Sequence, residues 1–242
     1  MNILLTNVGR RTYMVKYLIE ETKKLKNLKI HLAENDKYSA ALNYNHKPTK
    51  HYTPLVKNNE KKYMKKIFDI VKRNRIKLII PCSDFELKLF SENKNKLNNL
   101  FCKVLISSRE NIENFYDKRL TFKICKKNNL LTPEIFNSQK ELNSAKKKDI
   151  IQKDIYGSGS SGLKYFKENE TIQFTNKKLF QKRINGKELH FDILNDFDGN
   201  FVSSCTKKKI LMRAGETDQA QILNKNKYDI FSKKISSVFR HV

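Results

Sequence analysis

The stretch KDIYGSGSSG, residues 153–162, contains a lysine and then a run of glycine and serine. Apolar segments typical of strands flank it, at residues 149–152 and 163–166. This order predicts a hairpin whose tip can lie against phosphate groups. Glycine lets the backbone approach a ligand closely, and successive amide groups form a nest for an anion. Lys153 would add a positive charge at the mouth of the turn.

A dinucleotide-binding turn is the first alternative for this stretch. Gly157, Gly159 and Gly162 have the spacing G-x-G-x-x-G, but such a turn must open a helix, and the residues after Gly162 favour a strand. A flexible turn without a ligand is the simpler alternative when the stretch is taken alone. The turn residues that we expect at the phosphates are Gly157, Ser158, Gly159, Ser160, Ser161 and Gly162.

The next segment, LFQKRINGKELHFDIL, spans residues 179–194. It reads as a strand to residue 184, a turn at Asn185-Gly186 and a second strand from Glu188. With the preceding turn, it resembles the ATP-grasp superfamily, whose hinge between two nucleotide-holding lobes has an acidic or amide residue, an aliphatic residue and then Gly and Glu. The matching positions are Gln181, Lys182, Arg183, Ile184, Gly186 and Glu188.

The resemblance implies a role for each end of the hinge. Gln181 and the backbone of Arg183 and Ile184 would meet the adenine edge, and Glu188 would accept hydrogen bonds from the ribose hydroxyls. Gln181 stands where glutamate is commoner, but its amide oxygen can still accept from the adenine amino group.

Two further segments resemble the family, in particular its branch akin to the large subunit of carbamoyl phosphate synthase. Asp117-Lys118 resembles a D-K element whose lysine reaches the α-phosphate, and residues 213–217, RAGET, resemble an R-x-G-E-T element. By this resemblance Lys118, Lys153 and the glycine/serine turn hold the triphosphate. Arg213 would stabilise charge on the transferring phosphoryl group, although it could instead be a surface or capping residue.

The reaction implied by the resemblance uses ATP to phosphorylate a carboxylate, and an amine or another nucleophile then displaces the phosphate. ATP and Mg²⁺ are the expected cofactors. The family's magnesium ligands come from a late element such as E-x-N-x-R, and no such pattern occurs between Gly215 and Val242. We therefore expect the chain to be truncated before this element, with the metal ligands beyond residue 242.

Residues 1–110 predict a doubly wound α/β domain. Apolar strands are expected at residues 2–6, 29–34, 77–81 and 103–107, and helices at residues 13–25 and 62–72. Residues 111–242 then predict an incomplete α+β ATP-grasp domain, with a small lobe at about 134–183 and the start of a large lobe at 184–242.

Ligands of doubly wound sheets bind beyond the carboxyl ends of the strands. Here those ends carry Gly9, Arg10 and Arg11, which could hold an anion, and Asp84 in the loop after residue 81. We assign these four residues to substrate binding. A plain turn with solvated arginines, and a helix-start role for Asp84 with Glu86 in the first turn, are the alternatives.

The 242-residue chain has a formal net charge of +25. A basic nucleic-acid-binding protein is therefore an alternative, but lysines occupy nearly every exposed helix position instead of one stripe, so we expect no specific nucleic acid. No apolar run is long enough to span a membrane, the start does not read as a signal peptide, and the four cysteines have no C-x-x-C spacing. We expect a cytoplasmic protein without a structural zinc site.

Three functions follow in order of preference. The first is an ATP-dependent carboxylate–amine ligase, the second a non-catalytic nucleotide-binding or regulatory relative, and the third the nucleic-acid binder. The sequence specifies neither the carboxylate and amine substrates, nor the pathway, nor the oligomeric state.

The expected position of the magnesium ligands gives a prediction. Purified 242-residue protein should bind ATP weakly and release no ADP above background, because Mg²⁺ bridging the β- and γ-phosphates is central to phosphoryl transfer. A coupled ADP-release assay measures this, and steady turnover would contradict the prediction.

Overall fold

The computed structural model describes residues 1–25, 27–43, 48–57, 59–157, 162–213, 216–223 and 228–240. The chain divides into two units, Met1–Arg109 and Glu110–Val242. Among the described residues, no helix is both long and apolar enough to cross a membrane.

The described part of the first unit contains a parallel sheet with the strand order β3-β2-β1-β4-β5. Helices connect the strands in βαβ fashion, so the predicted doubly wound domain is confirmed. The elements are β1 (Asn2–Thr6), α1 (Thr12–Thr22), β2 (Lys29–Glu34), α2 (Ala40–Asn43), β3 (Thr49–Tyr52), α3 (Glu60–Asn74), β4 (Ile76–Pro81), α4 (Asp84–Asn98) and β5 (Lys103–Val104).

The central strands of this sheet are buried, as continuous apolar runs require. β1 and β2 have the bounds that the sequence predicted, whereas the strand expected at residues 103–107 is only Lys103–Val104. β3 was not predicted, because its residues TKHY carry no apolar run and three of the four are exposed. Its place is set by backbone pairing with β2. The core packed around β1 and β2 includes Leu5, Val8, Val15, Leu32 and Leu42.

The second unit is built on antiparallel pairing. Its described strands form one sheet with the order β6-β9-β7-β8 and another with the order β10-β11-β12. The elements are α5 (Arg109–Tyr116), α6 (Lys118–Lys127), β6 (Ile135–Phe136), α7 (Gln139–Ser144), a 3-10 turn (Lys147–Asp149), β7 (Ile150–Asp154), β8 (Lys164–Tyr165), β9 (Lys178–Lys182), β10 (Leu189–Asn195), β11 (Phe201–Arg213), β12 (Glu216–Ile222) and α8 (Asp229–Phe239).

Each of these sheets is covered on one side. Phe136, Ile150 and Phe180 project from the first sheet into a core shared with Leu142 of α7. α8 packs on β10 and β11, and the hydroxyl of Ser236 donates to Asn195 Oδ1 at 2.8 Å in this buried contact. The α/β domain followed by an α+β part is therefore confirmed.

A buried carboxyl group lies at the carboxyl end of the parallel sheet. Glu86 has no exposed surface; the Tyr63 hydroxyl donates to its Oε1, and its Oε2 has no hydrogen-bond partner among the described residues. Burial raises the pKa of Glu86 to about 7; hydrogen bonding by Tyr63 opposes this shift and the charge of Glu34 adds to it. The side chains that face it are Thr6, Asn7, Glu34, Tyr63 and Cys82. Glu86 thus lies in the first turn of α4, as the helix-start alternative has it, but it is buried there.

This burial predicts a pH-dependent stability. Because the pKa of Glu86 in the folded protein lies above its usual 4.5, the folded state binds the proton more tightly. The free energy of unfolding should therefore fall between pH 5 and pH 8, by up to roughly 3 kcal/mol from this group. Urea unfolding at a series of pH values measures it.

Glu86→Gln should remove most of this pH dependence, because the amide stays neutral. Glu92→Gln, an exposed position on the same helix, is the matched control and should keep the wild-type profile. Identical profiles for Glu86→Gln and the wild type would show that Glu86 does not titrate in this range.

Candidate functional site

The start of α6 is fixed by Asp117. Its carboxylate accepts from the backbone N–H of Arg119 at 2.8 Å, as a helix N-cap does. The Arg119 side chain donates to both carboxylate oxygens, at 3.1 and 2.7 Å. Hydrogen bonding by Arg119 lowers the pKa of Asp117, so the cap remains ionised at neutral pH.

Lys118, the next residue, reaches the glycine/serine segment. Its backbone N–H donates to the carbonyl of Ile155 at 3.1 Å, and its Nζ donates to the carbonyl of Gly157 at 2.8 Å. The helix start and the end of β7 are thereby joined across 39 residues of sequence. The contact of Lys118 with the α-phosphate, which the D-K element implies, stays a prediction.

The two described glycines of the segment have left-handed backbones. Gly157 has φ +102° and Gly162 has φ +70°, conformations that glycine adopts without steric cost. A Cβ on Gly162 would lie 2.1 Å from Asp154 Oδ2, so this position also lacks space for a side chain. Ser158, Gly159, Ser160 and Ser161, which the sequence assigns to the phosphates, lie outside the described residues.

Lys153 lies on β7 and points towards the hinge strand. Its Nζ donates to Gln181 Oε1 at 2.8 Å. The register pairs Lys153 with Leu179 and Ile151 with Gln181, so Lys153 and Gln181 share one face of the sheet. The sequence placed Lys153 at the mouth of the turn; in the structure Lys118 contacts the turn and Lys153 meets the residue expected at the adenine.

The two lysines form a partly desolvated pair of cations. Burial lowers the pKa of Lys118, and the charge of Lys153 lowers it further, while Asp154 acts in the opposite direction. Burial also lowers the pKa of Lys153, and the negative charge of Glu188 acts in the opposite direction. A bound polyanion would stabilise the charged form of both side chains.

The hinge residues differ in which of their polar groups already have partners within the chain. The backbone N–H of Arg183 donates to the carbonyl of Asp149 at 2.7 Å, so this donor is not available to an adenine ring and only the carbonyl of Arg183 remains for it. The N–H of Lys182 donates to Glu134 at 2.8 Å. Ile184 is 64% exposed, and the Glu188 carboxylate forms an ion pair with Lys209.

Arg213 ends β11, and its register partner Glu216 begins β12. Its guanidinium pairs with Asp218 Oδ2 at 3.1 Å and is largely exposed. Of the RAGET segment, Arg213 thus ends one strand and Glu216 begins the next, while Ala214 and Gly215 lie outside the described residues.

The glycine–arginine loop of the first unit already has a hydrogen-bond acceptor from within the chain. Gly9 has φ +63°, and its N–H donates to Glu34 Oε1 at 2.9 Å. Arg11 Nη1 donates to the carbonyl of Cys82 at 2.8 Å, and Arg10 also has an interaction within the chain. Asp84 is exposed and is the first residue of α4, after Ser83 at the N-cap. The predicted helix-start acid is therefore not the cap itself.

Sequence reasoning missed two acidic partners. Glu34 accepts the loop amide at Gly9, and Asp154 borders Gly162 and forms an ion pair with Lys178. Each is the last residue of its strand, β2 for Glu34 and β7 for Asp154, and this position was the only available signal. Their partners depend on the register of neighbouring strands.

A cavity of about 800 Å³ lies between α6 and the strands β6 and β9, lined by residues including Lys123, Lys126, Phe136 and Phe180. Lys118, Lys153 and Gln181 do not line it, so we do not assign it to the nucleotide. Within the described ranges, no group of three or more His, Cys, Asp or Glu side chains could hold a metal ion. The described residues therefore do not fit a Mg²⁺ ion, and the metal ligands that the sequence analysis expects beyond residue 242 stay a prediction.

Two family models match the chain. An ATP-grasp domain matches residues 115–239, and a PylC-like N-terminal domain matches residues 3–105. No curated protein sequence shows significant similarity to the chain.

Solved structures of similar fold include three with 14% sequence identity each. They are N5-carboxyaminoimidazole ribonucleotide synthetase from Thermotoga maritima (TM-score 0.66), biotin carboxylase from Campylobacter jejuni (0.65) and L-amino acid ligase from Bacillus licheniformis (0.59). They cover 100%, 99% and 98% of this chain, which spans only 62%, 58% and 59% of theirs. The TM-scores show a shared fold, and at this sequence identity they show the fold alone. The family model, which covers more than half of the chain, together with this fold shows that the chain belongs to the ATP-grasp family.

Proposed function

We propose that the second unit binds ATP, and that ATP is used for the ligation of a carboxylate to an amine once the Mg²⁺ ligands expected beyond residue 242 are supplied. The observation that carries the proposal is the contact of Lys118 with the glycine/serine segment, at Ile155 through its backbone and at Gly157 through its side chain. This contact brings a cation to a turn whose backbone is suited to approach phosphates.

The described residues suggest how the nucleotide is held. Lys118 exchanges the Gly157 carbonyl for a phosphate oxygen, which is the stronger, charged partner. Gln181 Oε1 has a second lone pair beside the one that Lys153 uses, so it can still accept from the adenine amino group. Glu188, 72% exposed, accepts from the ribose hydroxyls.

In the proposed reaction a carboxylate oxygen of the substrate attacks the γ-phosphorus, and ADP leaves with the electrons of the broken P–O bond. The neutral amine then attacks the acyl carbon; inorganic phosphate leaves and the nitrogen loses a proton. Arg213 would stabilise charge on the transferring phosphoryl group, in exchange for its exposed pairing with Asp218. The B. licheniformis neighbour is an L-amino acid ligase, and the C. jejuni biotin carboxylase was solved with a β,γ-ATP ligand.

The lysine pair gives the first test. Lys118→Gln and Lys153→Gln should each weaken ATP binding by about 10- to 100-fold, since a charge-assisted hydrogen bond contributes roughly 1.5–3 kcal/mol. Isothermal titration calorimetry with ATP measures the affinity. Lys123→Gln, which removes an exposed lysine from the same helix as Lys118, should change it less than twofold. An equal loss in all three variants would indicate general attraction of a basic protein for a polyanion.

The ribose contact gives the second test. Glu188→Gln should weaken ATP binding by roughly tenfold, and by less for 2′-deoxy-ATP, which lacks one of the hydroxyl donors. Lys209→Gln breaks the same ion pair but keeps the carboxylate, so it is the matched control and should leave the ATP affinity nearly unchanged. If Glu188→Gln affects both nucleotides equally, Glu188 does not contact the 2′-hydroxyl.

A further inference from the structure

Four side chains form one row across the sheet β6-β9-β7-β8. The register pairs Tyr165 with Ile151, Ile151 with Gln181, and Gln181 with Ile135. Directly paired residues of neighbouring strands point to the same face of a sheet, so all four share the face on which Lys153 meets Gln181. The proposed function places the adenine edge at Gln181 on this face and gives the Tyr165 side chain no role.

The Tyr165 ring lies at one end of this row and is open to solvent. β8 is the edge strand of the sheet, and Tyr165 is 53% exposed. The next residue, Phe166, is buried with Phe180 in the core on the opposite face. Because side chains alternate between the two faces of a strand, the burial of Phe166 turns Tyr165 towards the open face. The core therefore sets the direction of the Tyr165 ring without using it.

The Arg183 side chain reaches this ring from the hinge. Its Cζ lies over the Tyr165 ring, 5.2 Å from the centroid, which is within the distance of a cation–π contact. β7 lies between β9 and β8, so the side chain crosses β7 to make this contact. Its backbone is held at the other side of β7 by the hydrogen bond of its N–H to the Asp149 carbonyl. The guanidinium thus lies over the face between Gln181 and Tyr165.

The Arg183 guanidinium is still open to a second contact. Within the part of the chain that the structure describes, it forms neither an ion pair nor a hydrogen bond, and the residue is exposed. A guanidinium group is planar, weakly hydrated and able to stack on aromatic rings. One side of it is covered by Tyr165, so its other side can receive a second planar ring.

From this arrangement we infer that Tyr165 and Arg183 form a stacking platform for the base of the nucleotide. The adenine ring stacks on the open side of the guanidinium, which Tyr165 supports from the other side, while the adenine amino group donates to Gln181 Oε1. The family resemblance assigns only the backbone of Arg183 to the adenine edge, so the contact with the face of the ring is additional. The inference rests on the proposed ATP binding and determines which bases this site prefers.

The platform is tested with the full chain and two probes, ATP and inorganic tripolyphosphate, which lacks the base. Tyr165→Ala should weaken ATP binding by about three- to tenfold, because the stacked guanidinium loses its support. Arg183→Lys should have a similar effect, since an ammonium group keeps the charge but has no planar surface. In isothermal titration calorimetry both variants should bind tripolyphosphate within about twofold of the wild type, because the phosphate contacts are unchanged.

Further variants separate stacking from a general loss of structure. Tyr165→Phe keeps the ring and should recover most of the ATP affinity that Tyr165→Ala loses. Tyr17→Ala removes a tyrosine ring that is 60% exposed in the first unit; it is the matched control and should leave ATP binding unchanged. Tyr165→Ala combined with Arg183→Lys should lose less than the product of the two single losses, because either change already breaks the platform. Losses that multiply would contradict a shared platform.

The preference between bases gives an independent measurement. CTP also carries an amino group that can donate to Gln181, but its single ring offers less surface for stacking than the two fused rings of adenine. The wild type should therefore bind ATP severalfold more tightly than CTP, and Tyr165→Ala should bring the ratio of the two affinities close to one. An unchanged ratio in Tyr165→Ala would overturn the platform.

These outcomes distinguish the platform from the proposed function. A wild-type chain that binds no ATP would refute both. ATP binding that Lys118→Gln weakens, but that Tyr165→Ala and Arg183→Lys leave unchanged, would keep the proposed function and overturn the platform alone. An equal loss for ATP and tripolyphosphate would also overturn it, because a contact with the base cannot affect a ligand that has none.

Discussion

The register between β7 and β9 is the constraint on which the candidate ATP site depends. Pairing Ile151 with Gln181 and Lys153 with Leu179 places Lys153 and Gln181 on the same face, where they form a hydrogen bond. A shift by one residue would turn either side chain to the opposite face of the sheet. Phe136, Ile150 and Phe180 fix the register, because their burial on the other face allows no such shift.

A second constraint is that the chain itself pairs several polar groups that a ligand could bind. Glu34 accepts the amide of Gly9, and Asp149 accepts the amide of Arg183. The backbone donors of a loop are costly to leave unpaired when they are partly buried. The chain supplies its own acceptors at these two places, whereas Thr53 Oγ1 and Glu86 Oε2 remain without partners among the described residues.

The lysines that give the chain its large positive charge lie in different environments. On most exposed helix faces the lysines are solvated and contribute little to specific recognition. At Lys118 and Lys153, by contrast, partial burial lowers the pKa. The environment of each lysine, and not the total charge, therefore decides which of them can recognise an anion.

The sequence by itself determined the family, the doubly wound first domain and the antiparallel sheets that follow it. Continuous apolar runs are a local signal of buried parallel strands, and ordered motifs such as Asp117-Lys118 keep their spacing whatever the packing. The tertiary structure alone decided the strand β3, which has no apolar pattern and exists because it pairs with β2. It also decided that Lys153 meets Gln181, that Glu34 occupies the Gly9 loop and that Glu86 is buried. These outcomes depend on contacts between residues distant in sequence, which strand register and helix packing create and which no local pattern encodes.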